Sequence, residues 1–178
     1  MRAGLGCLFT AVLSLGYVAS TPAAQPGPGA TQAFEPFKHI GGVVPGVTRR
    51  SAVLTAFGKP EKTEVTEKRK LAGKEFGGDT WLEYGSQGVS VLITKENSGQ
   101  ADPVIDSIMV EAPYGGRSPN GLSIGMPWKK ALEILKRDYH LDSDLDGSMN
   151  FAEKPGGKPD LQVWFENDKL TRVKLFPR

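Results

Sequence analysis

The chain has 178 residues, 39% of them hydrophobic, so it can bury a core and is long enough for one domain or two small ones. Its 22 basic and 20 acidic residues leave a net charge of only +2, and no clustered basic face of the kind that binds nucleic acid stands out. We therefore expect no nucleic-acid partner.

The amino terminus has the pattern of a secretory signal peptide. Arg2 supplies a positive charge, Leu5–Val18 is an uncharged apolar run, and small residues lead to a cleavage position after Ala24. The apolar run is shorter than the roughly 20 residues that cross a membrane. We predict a signal peptide over 1–24, export to the periplasm or the cell exterior, and no transmembrane span after cleavage. An uncleaved anchor is the alternative.

A segment rich in proline and glycine follows at residues 25–33, and this composition is typical of a flexible spacer. The folded part is predicted to begin at Phe34. We expect it to comprise a first unit over 34–117 and a second unit over 118–178.

Two segments have helical periodicity. In Pro127–Tyr139, apolar residues recur on one stripe of a 3.6-residue period. Val43–Phe57 has a shorter stripe, in which Thr48 is the predicted N-cap and Gly58 the residue that ends the helix. The two segments look like copies of one unit.

Strand-like segments follow each helix. After the first helix they are Thr63–Thr66, Thr80–Tyr84, Val89–Thr94 and Val104–Val110; after the second they are Ser148–Ala152, Leu161–Glu166 and Leu170–Phe176. Alternating apolar and polar residues indicate strands with one buried and one wet face, and short links favour antiparallel pairing. The order predicts an α+β fold of two related helix-plus-antiparallel-sheet repeats.

Three residues are candidates for a binding surface. Tyr114 and Arg117 lie in the loop that joins the two predicted units, and binding residues are often carried by loops. A solvated connection with a packed tyrosine is the alternative for this loop. Trp164 falls on the wet side of its strand by alternation, which makes it a candidate for recognition.

An acidic segment at 142–153 matches the EF-hand calcium-loop pattern at every fixed position. The oxygen ligands of such a site would come from Asp142, Asp144, Asp146, Ser148 and Glu153. Calcium is thus the one cofactor candidate, and no other cofactor is required. The alternative is an acidic turn, in which Asp146 and Gly147 link two strands of a hairpin.

Two features of this segment favour the hairpin. Leu145 is bulky and apolar at a position that is usually small or polar in calcium loops. Pro155 closely follows Glu153, so no exit helix can begin there.

The sequence has no catalytic motif. Ser51 lacks the glycine pattern of a nucleophile elbow, and Cys7, the one cysteine, falls within the predicted signal peptide. We predict that the protein is not an enzyme and assign no catalytic residue. A hydrolase whose carboxylates converge in a cleft is the least favoured alternative.

The two helical segments, with Phe57-Gly58-Lys59-Pro60 after the first, resemble the BamE family of small outer-membrane lipoproteins. The duplicated arrangement is similar to that of the β-lactamase inhibitor proteins. The resemblance is best over Val43–Pro60 and Leu122–Tyr139. It implies an exported, non-catalytic protein-interaction or envelope-assembly module with an unknown protein partner. A calcium-binding module that uses the loop at 142–153 is the alternative.

Overall fold

The computed structural model describes residues 33–178 apart from Phe37, Asp146 and Pro159. The predicted signal peptide and all but the last residue of the predicted spacer lie outside this part of the chain. Within it, no helix combines the length and the apolar character that crossing a membrane demands.

The main element is one antiparallel sheet of eight strands, in the order β3-β6-β7-β8-β12-β11-β10-β9. Its strands are β3 (Lys62–Val65), β6 (Thr80–Tyr84), β7 (Val89–Ile93), β8 (Ser107–Glu111), β9 (His140–Leu145), β10 (Ser148–Ala152), β11 (Leu161–Glu166) and β12 (Lys169–Leu175). Two small sheets pair β1 (Phe34–Glu35) with β2 (His39–Ile40) and β4 (Arg69–Leu71) with β5 (Lys74–Phe76). The helices are α1 (Arg50–Phe57), α2 (Lys95–Ser98) and α3 (Trp128–Asp138).

The predicted fold class is wrong. The structure is mostly antiparallel β-sheet, with 41% strand and 18% helix in three short helices, and it is not an α+β fold of two helix-plus-sheet repeats. The physical reason is long-range pairing. β8, from the first half of the chain, pairs with β12, from the second half, so all eight strands form one sheet.

The sheet has one apolar face, because its register aligns the inward residues of successive strands. Leu82 of β6 pairs with Val91, which pairs with Ile108 of β8, and Ile108 in turn pairs with Leu175 of β12. These side chains are 0–1% exposed. The alternation predicted from the sequence therefore produces a continuous hydrophobic layer across the sheet.

The two longer helices cover this apolar face. Val53 and Phe57 of α1 and Ala131, Leu132, Ile134 and Leu135 of α3 belong to the same buried cluster as the inward residues of the sheet. The ring of Phe57 lies 5.5 Å from that of Tyr84 on β6. The opposite face of the sheet, which we call the open face, carries neither helix.

The helix ends differ in part from the prediction. α3 occupies nearly the whole predicted segment, whereas α1 begins at Arg50 with Arg49 as its N-cap. Thr48 is not the cap, since its Oγ1 accepts a hydrogen bond of 2.8 Å from the N–H of Val44. Gly58 ends α1 as predicted, with a φ of 85° and its N–H bonded to the carbonyl of Leu54.

β4 and β5 form a hairpin that we call the arm. Its turn places Ala72 and Gly73 at φ values of 50° and 79°, as a tight two-residue hairpin turn requires. At its base, the N–H of Thr66 donates to the carbonyl of Asp79 at 2.8 Å. Gly77 packs so closely that an added Cβ would lie 2.0 Å from the carbonyl oxygen of Glu67. The base of the arm is therefore tightly held.

Candidate functional site on the open face

Partly exposed side chains line the open face in cross-strand rows. One row runs from Ser90 of β7 through Met109 of β8 and Lys174 of β12 to Gln162 of β11 and Asn150 of β10. Neighbouring rows contain Trp81 beside Leu92, and Trp164 beside Arg172. All of these side chains are partly exposed. Aromatic residues, methionine and cations thus share one face.

Lys174 lies in the middle of this face on a central strand. Its Nζ is 5.6 Å from the ring centre of Trp81 and 4.8 Å from that of Phe176. Burial lowers the pKa of Lys174, because a partly desolvated ammonium group is less stable than one in water. Among the described residues, no carboxylate lies within ion-pair distance of its Nζ. The cation is held by ring faces alone and can accept an incoming anion.

Arg172, two residues earlier on the same strand, is already neutralised. Its Nε lies 3.0 Å from Oε2 of Glu111, and its Nη2 lies 3.5 Å from Oε1 of Glu166. This network flanks Trp164, which pairs directly with Arg172 in the sheet. Trp164 therefore has a polar neighbour that is held by two carboxylates, as a preorganised contact residue requires.

The structure separates the three residues predicted to form a binding surface. Trp164 lies on the open face, as the alternation predicted. Tyr114 is buried, packs edge-on against Phe34 at 6.3 Å, and has its pKa raised to about 12 by burial. Arg117 is exposed and forms an isolated β-bridge with Ser123. The packed-tyrosine alternative describes the environment of Tyr114.

The acidic segment forms a hairpin of β9 and β10, in which Asp144 pairs with Met149. Asp142 and Asp144 are exposed on β9, and Ser148 is buried on β10. The amide of Gln162 donates to Oγ of Ser148 at 3.0 Å. Glu153 lies beyond the strand, 3.6 Å from Nη1 of Arg178. The remaining candidate, Asp146, lies outside the described residues.

The described candidate ligands are thus distributed along extended chain. In the part of the chain that the structure describes, no group of three or more histidine, cysteine, aspartate or glutamate side chains could hold a metal ion. Calcium binding stays a prediction with no geometric support from the described ligands.

Lys174 and Met109 were missed as site residues. Alternation in β12 does indicate that Lys174 is on the wet side of its strand. Its neighbours depend on the pairing of β12 with β8 and with β11. The strands β8 and β12 are more than 50 residues apart in the sequence. No local pattern encodes that juxtaposition.

Comparisons of the chain with protein-family models, with curated proteins and with solved structures find no match. The resemblance to the BamE and β-lactamase inhibitor families therefore stays a prediction.

Proposed function

We propose that the protein is an exported, non-catalytic protein-interaction module that binds its partner on the open face of the sheet. One observation carries the proposal: Lys174 sits among Trp81, Phe176 and Met109 in the middle of a face on which neither α1 nor α3 packs. Aromatic residues and methionine are enriched where proteins bind one another.

The dimensions of the face also support a macromolecular partner. The rows described above extend over six neighbouring strands, from β6 to β10. At about 4.8 Å between strands, they span roughly 24 Å. A protein interface of standard size buries about 800 Å² on each partner, and a six-stranded face can supply such an area.

Lys174 specifies the chemistry of the partner. Covering a cation that has no counterion removes its remaining water, which is unfavourable unless the partner supplies an anion. Arg172 has no such need, because Glu111 and Glu166 already neutralise it. The partner therefore places an acidic side chain over Lys174, with apolar contacts to Trp81 and Met109 around it.

Site-directed photocrosslinking tests this proposal. A benzophenone side chain is placed at Ser90 or Met109 on the open face, and at Lys129 or Glu133 on the exposed side of α3 as controls. In cells that export the chain, we expect discrete protein adducts from the open-face positions. Their absence, or the same adducts from all four positions, would contradict the proposal.

A second comparison tests whether the crosslinked adduct depends on Lys174. In the Ser90 crosslinking chain, Lys174→Met retains the shape of the side chain and removes its charge, so we expect the adduct to fall at least about tenfold. Lys129→Met, an equal loss of charge on α3, serves as the control and should leave the adduct unchanged. If both variants gave the same amount of adduct, Lys174 would not be part of the interface.

A further inference from the structure

The arm exposes apolar side chains that the rest of the fold does not cover. Every residue of β4 and β5 is exposed, and the side chains of Leu71 and Phe76 are 71% and 52% exposed. The arm pairs only with itself, and β3 and β6 continue the chain into the main sheet on either side. It is therefore a projecting ribbon with its own surface.

Register assigns the two apolar residues to one face of the ribbon. Arg69 pairs with Phe76 and Leu71 pairs with Lys74, so these four side chains share a face. Lys70 and Glu75 form the pair on the other face. We call the first set the outer face of the arm.

An ion pair orients the arm relative to the body. Oε2 of Glu75 accepts a hydrogen bond from Nζ of Lys95, which is the first residue of α2. Because Glu75 faces the body, the opposite face, with Leu71 and Phe76, is directed outward. The close packing of Gly77 on Glu67 holds the base of the arm in this arrangement.

The charge around the outer face is positive. Among the described residues, no carboxylate lies within 4 Å of the ammonium groups of Lys68, Lys70 and Lys74. Arg69 has one partner, Glu67, in a pair whose side chains are both more than three-quarters exposed. Such an exposed pair does little to cancel the cation.

We propose that the outer face of the arm docks on an anionic lipid surface. Leu71 and Phe76 enter the boundary between headgroups and acyl chains, while Arg69 and Lys74 lie at the level of the lipid phosphates. Amphipathic segments with apolar and basic side chains bind membranes in this way. The site is separate from the open face and does not depend on the function proposed for that face.

Size favours a lipid surface over a protein partner. A stable protein interface buries about 800 Å² on each side, from some 20 residues, whereas the outer face of the arm has four. A lipid surface needs only a few apolar side chains with cations beside them, because it adapts its shape to a convex tip.

Vesicle cosedimentation of the full chain tests the proposal. The vesicles contain either phosphatidylcholine alone or a 7:3 mixture of phosphatidylcholine and phosphatidylglycerol. We expect the anionic vesicles to bind the chain more tightly, with an affinity that falls as salt is raised. Comparing variants within the same full chain accounts for any binding by its amino-terminal apolar run.

Two arm variants separate the apolar and electrostatic contributions. Leu71→Ser/Phe76→Ser removes the apolar contacts, and Arg69→Glu/Lys74→Glu reverses two charges. Each should weaken binding to the anionic vesicles at least about tenfold, since one cation near such a surface is worth about fivefold. Because the arm lies outside the core, the melting temperature should stay within about 2 °C in both variants.

Matched control variants carry the same types of substitution at exposed positions outside the arm. Val47→Ser changes a residue that is 70% exposed, and Lys129→Glu/Lys130→Glu reverses two exposed cations on α3. Both should bind within twofold of the parent chain. Loss of binding in the controls as large as in the arm variants would overturn the proposal. So would unchanged binding in the arm variants, or a parent chain that does not distinguish the two kinds of vesicle.

Discussion

Gly88, like Gly77, is a position at which the backbone conformation and the neighbouring backbone atoms require glycine. It joins β6 to β7 with a φ of 65°, and its carbonyl accepts a hydrogen bond of 3.0 Å from the N–H of Glu111. An added Cβ would lie 2.2 Å from the carbonyl oxygen of Glu111 and 2.5 Å from the nitrogen of Tyr114. Both atoms belong to the backbone and cannot rotate away.

Gly88→Ala is therefore expected to destabilise the protein by more than about 2 kcal/mol, from the left-handed conformation together with the clash. Urea unfolding followed by circular dichroism measures the change. Gly99→Ala is the control, because Gly99 has a φ of −79° and open space around its Cα, so we expect a change within about 0.5 kcal/mol. Equal urea midpoints for Gly88→Ala and Gly99→Ala would show that Gly88 is not required by the backbone.

Asp160 is a buried carboxylate with incomplete pairing. Oδ2 lies 3.4 Å from Nε of Arg178, while Oδ1 has no hydrogen-bond partner within the described chain. Burial raises its pKa above the ordinary 3.8, and the nearby Arg178 offsets only part of this effect. The charged form of Asp160 thus weakens the folded state.

We expect Asp160→Asn to stabilise the protein by about 1 kcal/mol at pH 7. The folded carboxyl binds its proton more tightly than the unfolded one. The parent chain therefore loses stability as the pH rises from about 3.8 through the raised folded pKa, and the variant does not. Unfolding free energies of both chains between pH 3 and 7 test this, and the advantage of the variant should vanish at the acid end.

Asp138 gives a control of opposite sign. Hydrogen bonds from Arg137 and Asn120 lower its pKa to about 2, so its contribution is present at neutral pH and is lost as the pH falls towards 2. Asp138→Asn should therefore destabilise the protein at pH 7. A loss of stability in Asp160→Asn as well would show that the Arg178 ion pair outweighs the burial of Asp160.

At the scale of elements, the β9–β10 hairpin bears on the two interpretations of the acidic segment. Since Asp142 and Asp144 lie on an extended strand and Glu153 is bound to Arg178, we predict no calcium-selective rise in melting temperature at 1 mM calcium. Thermal melts with calcium, magnesium and chelator measure this. A calcium-selective rise that is lost in Asp144→Ala and kept in Asp168→Ala would instead establish the calcium-binding alternative.

Elements with strong local patterns could be predicted from the sequence. The strands Thr80–Tyr84, Ser148–Ala152 and Leu161–Glu166 have the predicted bounds. The first and the last of them alternate between buried and partly exposed residues over most of their length. α3 was predicted for the same reason, from a stripe at helical spacing. Periodicity identifies an element when one of its faces is buried along its whole length.

The two strands of the arm were missed. The arm is exposed on both faces, so β4 and β5 have no alternation to detect, and the aspartates of β9 fit either a calcium loop or a hairpin. The pairing of β8 with β12, which makes one sheet of all the strands, is not encoded in either segment alone. Trp164 is the one open-face residue that was predicted to bind a partner. The other residues of the open face are brought together by the β8–β12 pairing.

At the scale of the whole molecule, the described residues share one core. The buried cluster extends from Phe34 to Leu175 and includes residues of α1, α3 and both halves of the sheet. We therefore predict a single cooperative unfolding transition, in which the calorimetric and van't Hoff enthalpies agree. Val173→Ala, in the strand that joins the two halves, should lower the transition temperature without splitting the peak. Two separate transitions would show that the halves are independent.

The eight-stranded sheet ends at β3 on one side and at β9 on the other. These two edge strands determine whether copies of the protein can associate by extending the sheet. β9 of one copy could add to β3 of the next, and such head-to-tail growth has no symmetry that ends it. These edge strands carry exposed charged residues, Asp142 and Asp144 on β9 and Lys62 and Glu64 on β3. Charged side chains on edge strands oppose the addition of a strand from another copy, so we expect the sheet to end at these two strands.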